Sequence, residues 1–281
     1  MKKHLVLSLV NTSIGFVGTT IAFCSVAFAN DAPIGYKNIS TSAGNFVLPV
    51  YALEEDGDKV YNPNAEENRP IGTMNMTGQS IRPMMSSVKH QGERGTCNVF
   101  AAIAIVEAFT GKDYSEQCLA YMSSNQDGGF TAQRLNYINK NGLFHEKDCP
   151  YSNDRNQIPN LQGALQETFS ASFEEKNARS TRDPIQYIRD RVHSNSPVGI
   201  SFYVVGDWNE GFIYTPSEEA IQKDCPNNSW GGHAVVATGY SDFLGLIEFK
   251  NSWGNQWGKG GYGYMSYDYF MRFRKSQLIS Y

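Results

Sequence analysis

Three residues whose side chains together support nucleophilic catalysis stand far apart in the chain. Cys97 lies between a glycine-rich turn, in the run HQGERGTC, and an apolar segment, NVFAAIAIVEAF. His233 follows it by 136 residues and Asn251 by 154 residues, in the runs GGHAV and KNSWG. These separations are close to the spacing of about 130–150 residues expected between a cysteine nucleophile and its histidine and asparagine partners. The pattern therefore predicts a thiolate activated by an imidazole, with an amide that orients the ring.

Each candidate residue has a predicted role in such chemistry. Cys97 stands where an apolar helix should begin, and a helix N-terminus stabilises a thiolate. His233 would take the thiol proton and later give it to the leaving amine, while Asn251 would accept a hydrogen bond from the other ring nitrogen. Gln91 and the Cys97 backbone N–H would hold a developing oxyanion. Trp253 would shield the histidine–asparagine hydrogen bond from water.

The elements that must position these residues fall into two groups. Helices are predicted over about 98–109, over 131–141 with Gly142 as the stop, and after the Asp183-Pro184 cap. Strands rich in Val, Ile, Phe and Tyr are predicted over 198–205, 233–240 and 244–249, with a further strand near 261–264. Helices thus dominate the first lobe and strands the second, and a cleft between the lobes is where the nucleophile would meet its partners.

The helix that follows Cys97 is apolar nearly all round, which is typical of a helix inside a core. Glu107 is its one charged residue, so a buried partner is expected for this carboxylate. We take Glu116 as the candidate, with one of the two carboxyl groups neutral and the other ionised.

The first 29 residues have the pattern of a cleavable signal peptide. A basic start is followed by an apolar run from Leu5 to Ala29, which is broken by polar residues 11–13 and ends in Ala27-Phe-Ala29. An uncleaved anchor is the alternative, because the run is long enough to span a bilayer. The polar break and the cleavage pattern favour removal, with Asn30 as the new N-terminus. We therefore expect a secreted or periplasmic protein.

Charge and spacing exclude several classes of partner. The formal charge is −4, and it becomes −6 when Lys2 and Lys3 are removed with the signal peptide. The basic residues are scattered, so nothing favours a nucleic acid or an anionic membrane. No metal-ligand spacing and no phosphate-binding loop are present, so no metal and no other cofactor are expected.

Besides the candidate nucleophile, an odd number of cysteines remains in the exported chain, because Cys24 leaves with the signal peptide. Cys97 is the candidate nucleophile, which leaves Cys118, Cys149 and Cys225 in the mature protein. One disulfide and one free thiol is the simplest arrangement in an oxidising compartment. The spacing does not decide the pairing, and Cys118–Cys149 is our first choice.

Residues 30–80 form an arm ahead of the domain predicted over residues 81–281. The arm is rich in Asn, Gly, Pro and Glu, with one short strand predicted over Phe46–Ala52 and loop from Glu54 to Gly78. It is either a short inhibitory propeptide or a segment that packs permanently on the domain.

Over about residues 81–267 the chain resembles the papain family of cysteine peptidases. The matching elements are Gln91-Gly92, Gly95-Thr-Cys97, Phe100, Glu107, Tyr114-Ser-Glu-Gln117, Gly128-Gly129, Pro150-Tyr151, Pro197-Val198, His233-Ala-Val235, Gly239-Tyr240, Asn251-Ser-Trp-Gly254, Trp257-Gly258 and Gly260-Gly-Tyr262. The resemblance implies an α+β, papain-like fold, with a helical N-terminal lobe, an antiparallel β-barrel-like C-terminal lobe and the active-site cleft between them. It also implies a Cys97–His233 catalytic pair, a peptide or protein substrate, no metal and a monomer.

The same resemblance implies how substrate would bind. Gly128 and Gly129 would bind the substrate backbone, and Trp253 belongs to the same candidate set. Phe130 and Ala234 would line the pocket for the residue two positions before the cut, so an apolar preference is expected there.

Several positions depart from the family pattern. Asn98 follows the nucleophile where the family usually has Trp, and Gly232 precedes the histidine where Asp or Asn is common. Arg94 and Gln126 occupy the places of two cysteines that usually form a disulfide, and their joint absence indicates a coherent loss. The long helical prosegment of the eukaryotic members is absent as well. These departures suggest a bacterial-type member.

Three functions remain compatible with these residues. A cysteine peptidase would resolve the acyl-enzyme with water, whereas a thiol acyltransferase, similar to a transglutaminase, would resolve it with an amine. A catalytically silent binding protein on the same fold is the third. The joint presence of Gln91, Cys97, His233 and Asn251 favours an enzyme.

Overall fold

The computed structural model describes residues 35–41, 44–50, 78–124, 127–157, 160–205, 208, 213–214 and 231–281. The predicted signal peptide, the predicted loop over residues 54–77 and Cys225 lie outside these described residues. Within the described residues, no helix combines the length and the apolar character needed to cross a membrane.

Five helices are described, and the three predicted ones are among them. They are α1 (Cys97–Thr110), α2 (Glu116–Ser123), α3 (Thr131–Asn141), α4 (Pro184–His193) and α5 (Tyr267–Phe273). The expected ends of the predicted helices are confirmed: α1 stops at Gly111 with φ of 66°, and Asp183 caps α4 by accepting from the Gln186 N–H. The pattern analysis missed the two short helices α2 and α5. Both are capped by a serine side chain, Ser115 and Ser266.

The described strands join into one sheet that is antiparallel except at one edge. They are β1 (Gly35–Thr41), β2 (Gly44–Val50), β3 (Gly78–Ser80), β4 (Glu174–Asn177), β5 (Val198–Val204), β6 (Ile213–Tyr214), β7 (Gly231–Ser241), β8 (Leu246–Lys250), β9 (Tyr262–Ser266) and β10 (Arg274–Ser280). The main order is β4-β10-β5-β7-β8-β9-β6, and β6 pairs with β9 in parallel. The predicted strands correspond to β5, β7, β8 and β9. The fold is thus α+β, with α1–α3 preceding most of the sheet, as expected.

Helix α1 packs directly on the sheet. Cys97, Ala234, Val236 and Ile279 belong to one buried cluster together with most of α1. Gly199 on β5 makes the close approach possible, because a Cβ there would lie 2.8 Å from the Ile279 side chain and 3.1 Å from the Ile105 side chain. The helix therefore lies against β5, β7 and β10, which brings its N-terminus to the middle of β7.

Strand β7 presents alternate residues to two different cores, because successive side chains of a strand point to opposite faces. Ala234 and Val236 face the α1 cluster, whereas Val235 and Ala237 face a second, larger cluster. His233 shares the second face, and its ring lies 6.0 Å from the ring of Phe202, its partner across β5 and β7. The aromatic residues of this second core include Phe202, Trp208, Phe249, Trp253, Trp257 and Tyr269.

The N-terminal arm contributes a hairpin, of which the single predicted strand was only half. Strands β1 and β2 pair from Gly35↔Val50 to Thr41↔Gly44, and β2 joins the sheet where Val50 pairs with Gly231. Phe46 is fully buried, and its ring stacks on Trp253 with 4.6 Å between the ring centroids. Leu48 is fully buried too and fills the space beside Gly231, where a Cβ would lie 2.5 Å from the Leu48 side chain.

The expected disulfide between Cys118 and Cys149 is confirmed. It links α2 to the segment that follows a 3-10 turn at Glu146–Asp148, and it closes a loop with a sequence separation of 31 residues. The bridge lies in a small buried cluster with Phe144, away from the α1 cluster.

We predict that Phe46→Ala destabilises the protein by about 3 kcal/mol, because it removes a fully buried ring from its contact with Trp253. The measurement is urea unfolding of the chain from Asn30, followed by tryptophan fluorescence.

Phe243→Ala is the matched control, since this ring is 68% exposed and its loss should change the free energy of unfolding by less than about 0.5 kcal/mol. Equal midpoints for wild type and Phe46→Ala would show that the hairpin does not support the domain.

Candidate active site

Cys97 is the first residue of α1 and is buried, with 3% of its surface exposed. The turn before it needs Gly92, whose φ is 60° and whose Cβ would collide with the Asn153 side chain. Its thiol lies at the backbone of Ala234, whose N–H and that of Asn98 both act to lower the thiol pKa. The nucleophile candidate therefore meets β7 one residue away from His233.

His233 and Asn251 form the predicted hydrogen bond, with 2.8 Å between His233 Nε2 and Asn251 Oδ1. Asn251 Oδ1 also accepts from the Ser252 backbone N–H at 2.8 Å, which identifies this atom as the amide oxygen. Nε2 must therefore carry the proton, and Nδ1 is the basic nitrogen. Nδ1 is buried and has no hydrogen-bond partner among the described residues, so it is available to a thiol. Trp253 covers the pair, with its ring stacked 4.8 Å from that of His233.

Burial favours the neutral form of both Cys97 and His233. It raises the pKa of the Cys97 thiol, against the opposing influence of the Ala234 and Asn98 N–H groups and of the Lys275 cation. It lowers the pKa of His233 to about 4, and the Asn251 hydrogen bond only partly offsets this. Burial thus disfavours the charged form of both groups, and the backbone N–H groups, the Lys275 cation and the Asn251 hydrogen bond act against it.

Gln91 is fully buried beside the nucleophile and is held at both ends of its amide. Its Oε1 accepts from Ser252 Oγ at 2.6 Å, and its Nε2 donates to the Arg94 carbonyl at 2.7 Å. The amide has two N–H groups, so one remains for a substrate oxygen. Ser252 thus fixes both Gln91 and, through its backbone, Asn251. This role of Ser252 was not predicted from the sequence.

The Gly128-Gly129 segment is tied to the nucleophile turn. The Gly128 N–H donates to the Gly95 carbonyl at 2.8 Å, and the Gly128 carbonyl accepts from the side chains of Asn98 and Arg134, both at 2.9 Å. Gly128 and Gly129 have φ values of 92° and 99°, which other residues rarely adopt. Asn98 therefore has a defined role, as a link between the start of α1 and the candidate substrate-binding glycines.

Comparison with known proteins identifies the family of the chain. The family model described as papain family cysteine protease matches residues 78–277, which is more than half of the chain. The chain belongs to the papain family of cysteine proteases. Among curated relatives, pro-cathepsin H from Mus musculus is 31% identical over 195 residues, and mexicain from Jacaratia mexicana is 29% identical over 187 residues.

The coverage of these relatives differs. The alignment with pro-cathepsin H covers 64% of this chain and 56% of the relative, and that with mexicain covers 63% and 81%. The chain spans little more than half of the length of several curated relatives that it matches. The solved structure of xylellain, a cysteine protease from Xylella fastidiosa, has a TM-score of 0.58 at 20% identity over 72% of this chain and 85% of that one, and it supports the fold.

An ion pair joins the two segments that a disulfide usually joins in the papain family. Arg94 Nη2 lies 3.0 Å from Asp127 Oδ1, and Asp127 Oδ2 accepts from the Gly95 backbone N–H at 3.2 Å. Arg94 Nη1 also donates to Gln117 Oε1 at 2.7 Å and to the Ser152 carbonyl at 3.0 Å. Arg94 and Asp127 thus hold the nucleophile turn against the glycine segment. From the sequence, Arg94 was recognised only as a position that lacks the usual cysteine, and Asp127 was not predicted to take part.

Glu107 has a different partner from the one expected. It does not pair directly with Glu116; instead, Lys89 Nζ lies between them, 2.8 Å from Glu107 Oε1 and 3.1 Å from Glu116 Oε2. Burial raises the pKa of Glu116, and the Lys89 cation acts in the opposite direction. A lysine is the better partner, because it neutralises a buried carboxylate that a second carboxylate would repel.

This charged cluster lines a small cavity between α1 and strands β7 and β8. Lys250 reaches it from β8 and donates to Ser86 Oγ at 2.7 Å, and burial lowers the pKa of Lys250 to about 8. Asn251 and Ser252 line the same cavity. The charged side chains therefore share this cavity with Asn251 and with Ser252, which holds Gln91.

The two candidate pocket residues come from different elements, Ala234 from β7 and Phe130 from the N-terminal end of α3. Ala234 is buried in the α1 cluster, and Phe130 is half-buried at the start of α3. The contacts described above bring together Gln91, Cys97, Gly128, His233, Ala234, Asn251 and Trp253, and Gly129 and Phe130 follow Gly128 directly in the chain.

We predict that Asp127→Asn lowers the free energy of unfolding by about 3 kcal/mol, because it leaves the buried Arg94 guanidinium without its counter-charge. Chemical denaturation of both forms at neutral pH and constant salt measures the difference.

Lys112→Ala is the control, because it removes an ion pair that is partly exposed to solvent. Lys112 and Glu167 are 49% and 30% exposed in their side chains, so their pair should contribute less than about 1 kcal/mol. If the two variants lost equal stability, the Arg94–Asp127 pair would be no more than a surface contact.

Proposed function

We propose that this chain hydrolyses peptide bonds through Cys97, with His233 as the base, Asn251 as the orienting residue and Gln91 in the oxyanion hole. The observation that carries the proposal is the 2.8 Å bond from His233 Nε2 to Asn251 Oδ1, because it leaves Nδ1 unprotonated at the buried start of α1. A histidine held in this tautomer is ready to accept a thiol proton.

The reaction follows from these groups. Cys97 Sγ transfers its proton to His233 Nδ1, and the sulfur attacks the substrate carbonyl carbon. The Gln91 amide and the Cys97 backbone N–H stabilise the oxyanion that forms. The imidazolium then gives its proton to the leaving amine as the C–N bond breaks, which leaves a thioester. Water, deprotonated by the neutral imidazole, attacks the thioester, releases the acid and restores the thiol.

Three groups favour the charged state of Cys97 that burial opposes. The N-terminus of α1, the N–H groups of Asn98 and Ala234, and the Lys275 cation all lower the thiol pKa. They stabilise the thiolate at the moment of attack, when the imidazolium beside it supplies a further positive charge.

We also propose that the protein is exported as a monomer after cleavage behind Ala29. The Cys118–Cys149 disulfide supports an oxidising compartment, secreted or periplasmic, since such bonds are rare in the cytosol.

For the N-terminal arm we propose a supporting role. Phe46 and Leu48 are buried against Trp253 and Gly231, in contacts typical of a permanent part of a core. An inhibitory propeptide is the alternative, and the activity of Phe46→Ala distinguishes the two. A supporting hairpin requires lower activity on its disruption, whereas an inhibitor requires higher activity.

The first experiment is covalent labelling of the chain from Asn30 by an epoxide inhibitor of cysteine peptidases, followed by intact mass and by cleavage of a mixed peptide library. We expect one label at Cys97 and library cleavage, with both lost in Cys97→Ala. Loss of Cys97 removes the only nucleophile that the proposal invokes.

An added amine separates hydrolysis from acyl transfer, because an acyltransferase would yield the amide product by mass. Neither label nor cleavage in wild type would contradict the proposal and favour a silent binding protein.

The pH dependence gives a further prediction. His233 must be unprotonated to accept the thiol proton, and its pKa is about 4, so kcat/KM should rise with pH through about 4 and then level off. In Asn251→Ala the hydrogen bond that raises the His233 pKa is lost. The acidic limb should therefore move to lower pH, and kcat should fall at least about tenfold because the ring is less well oriented.

The measurement is kcat/KM and kcat against pH in constant ionic strength, with Asn255→Ala as a control on the exposed neighbouring residue. An acidic limb above pH 6 in wild type would contradict the buried, neutral histidine.

A further inference from the structure

The pairing of β5 with β7 places a polar residue beside the candidate substrate pocket. Ser201 pairs with Ala234, so the two side chains lie on the same face of the sheet, toward Cys97. Tyr203 lies two residues further along β5 and shares that face. Ser201 is 7% exposed, and its Oγ has no hydrogen-bond partner among the described residues.

A buried lysine reaches the same place from β10. Lys275 is 6% exposed, and its Nζ lies 5.8 Å from the ring centroid of Phe130 and 5.4 Å from that of Tyr203. Both distances are within the range of cation–π contacts. Its charge also acts on the Cys97 thiol. The ammonium is therefore held between the pocket wall at Phe130 and the β5 face that carries Ser201.

The electrostatics of this place suit an anion. Burial lowers the pKa of Lys275 to about 7, and the cation of Arg179 also acts to lower it. A bound carboxylate would restore the full charge of Lys275, since an opposite charge nearby favours the ionised form. A carboxylate is also a strong acceptor for the Ser201 hydroxyl and for the ammonium N–H groups.

We propose that Lys275 and Ser201 form a carboxylate-binding subsite beside Cys97, which selects substrates with Glu or Asp two residues before the cut. The inference rests on the proposed peptidase function and names its substrate class. It replaces the apolar preference that Phe130 and Ala234 alone would give, because Phe130 packs against a cation here.

The experiment compares two peptides that differ only by Glu or Gln two residues before the cut. Wild type should cleave the Glu peptide with a kcat/KM at least about tenfold higher than the Gln peptide, because a close charge pair is worth more than about 1.4 kcal/mol. In Lys275→Met the ratio of kcat/KM for the Glu peptide to that for the Gln peptide should fall to about one. In Lys275→Glu this ratio should drop below one, and a peptide with Lys at the same position should be cleaved faster than either. In Ser201→Ala the ratio should decrease by a smaller factor.

The ratio within one variant separates specificity from other effects of Lys275. If Lys275 acts only through the Cys97 thiolate or through folding, its loss lowers kcat/KM equally for both peptides, and the ratio stays as in wild type. That result would overturn the inference. Lys176→Met, at a half-exposed lysine outside this pocket, is the matched control and should leave both rates unchanged.

Labelling of Cys97 by the epoxide keeps the two proposals distinguishable. If the enzyme is labelled and cleaves the Gln peptide as fast as the Glu peptide, the peptidase function is supported and the carboxylate subsite is contradicted. An enzyme that is neither labelled nor active loses both.

Discussion

The packing of α1 on β7 is the contact on which the remainder of the structure depends. The helix is apolar on nearly every side, so it can be stable only when other elements cover it all round. Gly199 lets it approach the sheet closely, and its first residue then lies at the backbone of Ala234. The strand carries its neighbouring side chains to opposite faces, so the residue before Ala234 points into the aromatic core. One helix–sheet contact thus sets the position of the nucleophile relative to its base.

Burial gives this site its precision and also opposes its chemistry. Burial fixes the His233–Asn251 bond under Trp253 and holds Gln91 through Ser252, but it also disfavours a separated thiolate and imidazolium. The structure offsets that cost with fixed dipoles and one cation at the start of α1. The same solution occurs in the cavity that Asn251 also lines, where Lys89 lies between two buried carboxyl groups. In both places a positive charge compensates for the loss of water.

The sequence allowed the long elements and the catalytic candidates to be predicted, because both depend on local patterns or fixed spacing. Helices α1, α3 and α4 have apolar runs, caps and glycine stops, and β5 and β7 have continuous apolar character. Strand β1, GYKNIST, has neither, and it is stabilised by β2 through pairing that no local pattern encodes. The Arg94–Asp127 pair, the Lys89 bridge and the placement of Ser201 and Lys275 join residues that are distant in sequence. They depend on strand register and tertiary packing, which a single sequence does not reveal.

The Arg94–Asp127 pair affects how the segment around the nucleophile responds to oxidants and reductants. A cysteine nucleophile works only as a free thiol, and a reductant that keeps it free also opens accessible disulfides. A disulfide three residues before the nucleophile would in addition offer its sulfur atoms to thiol–disulfide exchange with Cys97. Here that segment is held by a guanidinium and a carboxylate, which neither oxidants nor reductants alter, and the Cys118–Cys149 bridge lies in a separate cluster. The backbone around Cys97 is therefore held in place under oxidising and reducing conditions alike, whereas the reactivity of the Cys97 thiol depends on those conditions.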